Sequence, residues 1–225
     1  MIKYIFLLTT LIFITKINGQ SNIAVGLNGN INFPTGQFAD FNLGGGGNVH
    51  FLYLLGNSTI LSFAVGYNKF DLDVESFNER AKELGLNVNF DVNSDFTVIP
   101  FVLGAKWYFL KGKKHSPYIM LEAGYYHYKY TFSGTANVNL PGGNSLPIEL
   151  PSLDESGTKT ILRISAGYLF FFNRNWFLDT SVGYIVLTDA FAINEPVNPE
   201  DPDAIYGVVG TLNYISASAG INYRF

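Results

Sequence analysis

The sequence predicts an all-β fold: a transmembrane, antiparallel, up-and-down β-barrel of eight strands, with short turns at one rim and long loops at the other. Three observations carry this. Apolar residues recur at every second position in eight stretches, near 23–33, 45–55, 59–70, 96–110, 117–132, 158–172, 176–188 and 207–225. The links between these stretches alternate long and short. The acidic residues concentrate in the long links. Period-two alternation puts one set of side chains on each face of a strand.

The alternation is plain in the first stretch, NIAVGLNGNINF. Ile23, Val25, Leu27, Ile31 and Phe33 oppose Ala24, Gly26, Asn28, Asn30 and Asn32. In LSFAVGYNKF, Leu61, Phe63, Val65 and Tyr67 oppose Ser62, Ala64, Gly66 and Asn68. In IPFVLGAKWYF, Ile99, Phe101, Leu103, Ala105 and Trp107 oppose Pro100, Val102, Gly104 and Lys106. In LRISAGYLF, Leu162, Ile164, Ala166 and Tyr168 oppose Arg163, Ser165 and Gly167. The last stretch, ISASAGINYRF, alternates to its final residue, Phe225. GNVHFLYLL, YIMLEAGYYHYKYTF and WFLDTSVGYIVL alternate less regularly.

A soluble barrel puts bulky apolar side chains inside and charges outside. Here the non-apolar face is mostly Gly, Ala, Ser and Asn, which suits the crowded interior of a narrow barrel. The bulky face then points outward, into lipid. Closure pairs every backbone N–H and C=O, as the hydrocarbon region demands.

Composition agrees. Charged residues make up 14% and aromatics 16%, with 20 Phe, 14 Tyr and 23 Gly. Charge is thus well below the roughly 25% of an average soluble domain. The net charge is −4, which disfavours nucleic acid as a partner. With no cysteine, the fold has neither disulfides nor thiolate metal sites.

Residues 1–19 read as a signal peptide: Lys3, then an apolar run from Tyr4 to Ile14, then small and polar residues up to Gly19. The apolar run is too short to span about 30 Å of hydrocarbon as a helix. Cleavage after Gly19 leaves residues 20–225 as one barrel domain.

The short links are 56–58, 111–116 and 173–175, and the long ones fall near 34–44, 71–95, 133–157 and 189–206. In the second long link, SFNERAKELG carries a Ser76/Glu79 capping-box pattern and Gly85 as a stop, predicting a short helix.

Sixteen of the eighteen acids lie in the long links; Glu122 and Asp179 do not. By parity both point inward, as do Lys106, Arg163 and Arg224. Ions inside a barrel need partners. Folding the chain at 111–116 brings Lys106 near Glu122 on the adjacent strand, so these two are expected to pair. Asp179 is then left for Arg163 or Arg224. The five charges read as structural plugs of the core rather than as a transport or catalytic set.

Aromatics beside the short turns and at the C-terminus read as one interfacial girdle: Trp107, Tyr108, Phe109, Tyr118, Phe170, Phe171, Phe172, Trp176, Phe177, Tyr223 and Phe225. Tyr67, Phe70, Tyr128, Tyr130 and Phe132 read as part of the other.

With these features in place, the chain resembles the eight-stranded outer-membrane β-barrel superfamily, of the outer membrane protein A, protein W and opacity type. The resemblance covers essentially all of 21–225. It is carried by the signal peptide, the eight alternating strands and the closing GINYRF. It implies that Ile221, Tyr223 and Phe225 form a C-terminal insertion signal read by the barrel assembly machinery. It also implies short periplasmic turns and long extracellular loops, with outer-membrane lipid and lipopolysaccharide as surroundings, in an integral, exported protein.

Chemistry is sparse. His50 points inward, His115 lies in a turn and His127 lies near the outer rim. Some barrels of this size modify lipid A, and His127 with Ser133 is the arrangement worth naming for that. In DVNSD, Asp91, Asn93 and Asp95 resemble the start of a calcium loop, but no Gly follows and position twelve is Val102, not Glu. NLGGGGN, 42–48, lacks the Lys and Ser/Thr of a phosphate loop and reads as close packing at the rim. No catalytic residue, metal site or cofactor is assigned.

The expected role is structural, adhesive or surface-recognising, carried by four acidic extracellular loops on a monomeric barrel. The alternative is a narrow channel for small or apolar solutes, and a third reading is a lipid A-modifying enzyme. A charge-plugged interior favours the first and a continuous lumen the second.

Overall fold

The computed structural model describes residues 22–35, 41–56, 58–83, 85, 87–109, 114–139, 145–188 and 212–225. The signal-peptide reading of 1–19 lies outside these residues, as do the acids Asp40, Asp189, Glu195, Glu200, Asp201 and Asp203. Eight strands follow one another: β1 (Ile23–Thr35), β2 (Gly44–Leu55), β3 (Thr59–Asp71), β4 (Val88–Tyr108), β5 (His115–Asn139), β6 (Ser145–Phe171), β7 (Trp176–Leu187) and β8 (Leu212–Arg224). Each pairs antiparallel with its neighbours in sequence, and β1 pairs with β8 from Ala24↔Arg224 to Thr35↔Asn213. The ring is therefore closed.

Inside and outside follow the predicted parity. Leu27, Leu103 and Ile164 are 62%, 66% and 58% exposed, and the inward Ala24, Asn32, Ser62, Lys106 and Ser165 are buried. An apolar belt running round the whole wall is what a water-facing surface avoids. It is the outer face of a barrel that spans a membrane.

The interior packs large against small. Gly104 stands opposite Glu122, and Gly167 opposite Tyr118. A Cβ on Gly104 would press on the Glu122 side chain, one on Gly167 on the Tyr118 ring, and one on Gly183 on the Arg163 guanidinium. With eight strands the lumen has room for side chains and little more, so long inward groups need a glycine on the neighbouring strand.

Three strands run further than expected. β4 starts at Val88, β5 continues to Asn139 and β6 starts at Ser145. Pairing of β3 with β4 stops at Asp71↔Asp95, and pairing of β6 with β7 stops at Ile161↔Leu187. Beyond those points β4, β5 and β6 continue as a three-stranded sheet raised above the long-loop end. Much of the third long link is thus strand, and Asp91, Asp95, Glu149, Asp154 and Glu155 sit on strands rather than loops. The register shifts between Phe132 and Gly134, where β6 carries an extra residue.

The predicted helix forms as α1 (Val74–Glu83), but its cap differs. Asp73, not Ser76, is the N-cap. Its carboxylate accepts from the Ser76 N–H at 3.1 Å and from the Ser76 hydroxyl at 2.8 Å. Gly85 ends the turn as expected, at φ +75°, where a side chain would be strained. Asn78 clamps α1 to β4, accepting from the Phe90 N–H at 2.6 Å and donating to the Phe90 carbonyl at 2.9 Å.

Candidate functional site

The lumen is layered. Near the short-turn end, Leu52, Ile60, Tyr118, Met120, Leu169 and Phe177 form one buried apolar cluster, with Tyr108 and Phe171 packed against it. Near the long-loop end, Phe70, Phe96, Tyr126, Tyr128, Ile185 and Tyr214 belong to another, with Phe41 and Tyr130 against it. The rings tilt against one another, with centroids 6.0 Å apart for Phe70–Phe96 and 5.3 Å for Phe70–Tyr214. Charges and amides occupy the space between.

All four charges of that middle layer are held in pairs, but not the expected ones. Lys106 on β4 reaches across the lumen to Asp179 on β7. The Tyr118 hydroxyl donates to the other Asp179 oxygen at 2.5 Å. The Lys106 ammonium also stands 4.8 Å from the centroid of the Tyr118 ring. Glu122 instead pairs with Arg163 directly opposite on β6, at 3.3 Å. The Arg163 guanidinium donates to Ser181 at 3.3 Å. The expected Lys106–Glu122 pair fails because the register places Met120, not Glu122, opposite Lys106. Arg224 is not the partner of Asp179. It lies half-buried at the short-turn rim near Tyr108, and its carbonyl accepts from the Asn175 side chain at 2.8 Å.

An asparagine network continues the layer. Asn30 and Asn32 both donate to Asn68 Oδ1, at 2.6 and 3.0 Å. Buried His50 lies 3.2 Å from the Asn28 amide. Parity alone showed these residues to be inward. Their contacts, and the bond from Tyr118 to Asp179, depend on register.

The girdles are thinner than expected. Trp107, Phe109, Phe172 and Trp176 are exposed on the outside, whereas Tyr108, Tyr118, Phe171 and Phe177 turn inward into the first cluster. At the other end Tyr67 is exposed, and Phe70, Tyr128 and Tyr130 join the second cluster. Ile221 is exposed, while Tyr223 packs between Trp176 and Phe225, at 4.9 and 5.2 Å. The closing residues are thus one outward aromatic knot at the short-turn rim.

The remaining candidates do not assemble. His127 contacts Thr158 at 3.3 Å on the outer wall. Ser133 lies six residues further along the same strand, about 20 Å away. His115 stacks near Phe170, with centroids 4.8 Å apart. Asp91, Asn93 and Asp95 alternate along extended β4 about 7 Å apart, and Asp95 is engaged by Lys69 at 3.0 Å. They do not converge on one ion. In the glycine run, Gly44 admits the Phe70 ring and Gly46 the Tyr67 carbonyl, as close packing at the rim requires.

No protein-family model and no curated protein matches the sequence. Solved structures match the fold. Neisserial surface protein A aligns with a TM-score of 0.51 and 15% identity, over 92% of this chain and 100% of its own. Ail, the attachment invasion locus protein of Yersinia pestis, aligns at 0.43 and 19%, over 93% and 100%. A major outer membrane protein from Thermus thermophilus aligns at 0.46 and 13%, over 90% and 99%. The closed ring, its lipid-compatible wall and its filled lumen make this an eight-stranded transmembrane β-barrel, the fold it shares with neisserial surface protein A.

Proposed function

We propose that this chain is an integral outer-membrane protein that works through its outer rim and not through its lumen. The carrying observation is the filled interior: two apolar clusters with two ion pairs between them. A lumen packed in this way supports a structural and surface-recognition role over the narrow-channel reading. The short turns face the periplasm. The long loops and the raised β4–β5–β6 sheet face outward, presenting Asn89, Asp91, Asn93 and Asp95 on one side of β4. Recognition by these acidic loops, a lipopolysaccharide environment, delivery by the barrel assembly machinery through Phe225, and a monomeric state belong to the same reading. It assigns no catalytic role.

Planar-bilayer recording of the purified protein tests it. The expected result is no steady conductance. A stable open level in most insertions would establish the channel reading instead. Recovery from the soluble periplasmic fraction would overturn the membrane placement.

A further inference from the structure

Between the outer aromatic cluster and the ion-pair layer lies a cavity of about 40 Å³. Asn30, Asn48, Asn68, Glu122, Arg163 and Ser216 are on its wall. Several polar atoms there have no hydrogen-bond partner among the described residues: Asn30 Oδ1, Asn48 Oδ1, both Glu122 carboxylate oxygens and Arg163 Nε. Glu122 Oε2 is 3.3 Å from an Arg163 Nη atom, an ion-pair contact that leaves its hydrogen-bonding capacity unused. Asn30 cannot mend this by turning its amide, because its Nδ2 already donates to Asn32 and Asn68, at 3.0 and 2.6 Å.

Buried polar groups are rarely left without partners. A cavity that is polar and large enough meets that need with water, and one molecule takes roughly 10–15 Å³ of such space. We propose that this cavity is a permanent hydration site, holding about three water molecules that bridge Asn30, Asn48, Glu122 and Arg163.

A dehydrated monovalent cation is the competing occupant, since most of the unpaired atoms are acceptors. Arg163 argues against it. Its guanidinium repels a cation from the same wall, and its Nε needs an acceptor, which water supplies and a cation does not. The bound water completes the Glu122–Arg163 pair and ties β5 and β6 to the asparagines of β1 and β2. The barrel is thus wet in the middle while its ends are apolar. This inference holds whichever partner the outer rim meets.

Water-edited solid-state NMR of the labelled protein in lipid bilayers tests it. Magnetisation should pass from water to the Asn30 and Asn48 side-chain amides about as quickly as to the rim amides of Asn87 and Asn139. The Leu169 and Leu187 side chains of the apolar clusters should lag. Transfer to Asn30 and Asn48 as slow as to those leucines would overturn the proposal. Replacing sodium by potassium or caesium should leave the Asn30 and Asn48 signals unmoved, and a cation-specific shift would overturn water in favour of an ion. Asn48→Leu removes one acceptor and fills the space. It should abolish the transfer to Asn30 and spare that to Asn87, and undiminished transfer to Asn30 would count against the site.

Discussion

Lys106 on β4 and Asp179 on β7 join opposite walls of the barrel. Both side chains are almost wholly buried. Removing one partner leaves an ion unmatched, at a cost of about 3–5 kcal/mol, whereas replacing both with apolar groups is often nearly neutral. Asp179→Ala should therefore lower unfolding stability far more than Lys106→Met combined with Asp179→Leu. Urea unfolding in lipid vesicles reads both. Coupling between Lys106 and Glu122, measured by the same cycle, should be the smaller. If it is the larger, the cross-lumen pairing is wrong.

The glycine opposite Glu122 is equally open to test. A Cβ on Gly104 would lie 2.7 Å from the Leu121 carbonyl oxygen and 2.5 Å from Glu122 Cγ. Gly104→Ala should destabilise by about 1–3 kcal/mol. Gly29 faces outward with open space around it, so Gly29→Ala should change stability by less than about 0.5 kcal/mol. Equal losses at the two sites would show that interior crowding is not what selects glycine at 104.

The Asp73 cap makes α1 sensitive to acid. Hydrogen bonds from the Ser76 backbone N–H and then the Ser76 hydroxyl hold its carboxyl below the ordinary value of 3.8. A depressed folded-state value means that the stabilisation is complete above the unfolded value and disappears as pH falls through the folded one. Amide exchange across 74–83, corrected for intrinsic rates, should show protection that is constant above about pH 4 and weaker below. Asp73→Asn keeps the cap without the charge and should flatten that profile. An unchanged profile in Asp73→Asn would remove Asp73 as the cause.

Basic residues mark the two ends for a protease. Arg80 and Lys82 belong to α1 at the long-loop end. Lys111, Lys113 and Lys114 belong to the link between β4 and β5 at the short-turn end. Trypsin added to intact cells should cut at Arg80 or Lys82 and spare the lysine cluster until the outer membrane is breached. Cleavage first at 111–114 would invert the orientation.

The sequence made strand faces legible because period two is a local property. Lys106, Glu122, Arg163 and Asp179 were all readable as inward. Which of them meet was not, because that depends on the stagger between strands and on distances across the lumen. Met120 rather than Glu122 falls opposite Lys106, and nothing local to either strand announces that. The aromatics misled for a related reason. Closeness to a turn suggested a girdle, but parity sends Tyr118, Phe177 and Phe70 inward to fill the ends.

The raised sheet was the larger miss. Residues 133–157, with their Gly, Pro, Asn and Ser, have the composition of a loop. Residues 133–139 and 145–157 are strand because β5 has partners on both sides, β4 down to Val88 and β6 from Ser145. Pro147 and Pro151 are tolerated there because that stretch of β6 has no ladder partner on its other side among the described residues.

The β1–β8 seam has a consequence for time as well as for shape. Ala24 pairs with Arg224, 200 positions later in the chain. Contacts this distant in sequence require the loop-closure entropy to be spent before they form, and such topologies fold slowly. Hairpins such as β2–β3 can zip locally, but the seam can be sewn only when β8 has been delivered. Until then β1 and β7 each keep an open edge, which hydrocarbon does not tolerate. The chain therefore has no stable half-inserted form to rest in, and its residence in the membrane begins with its last strand.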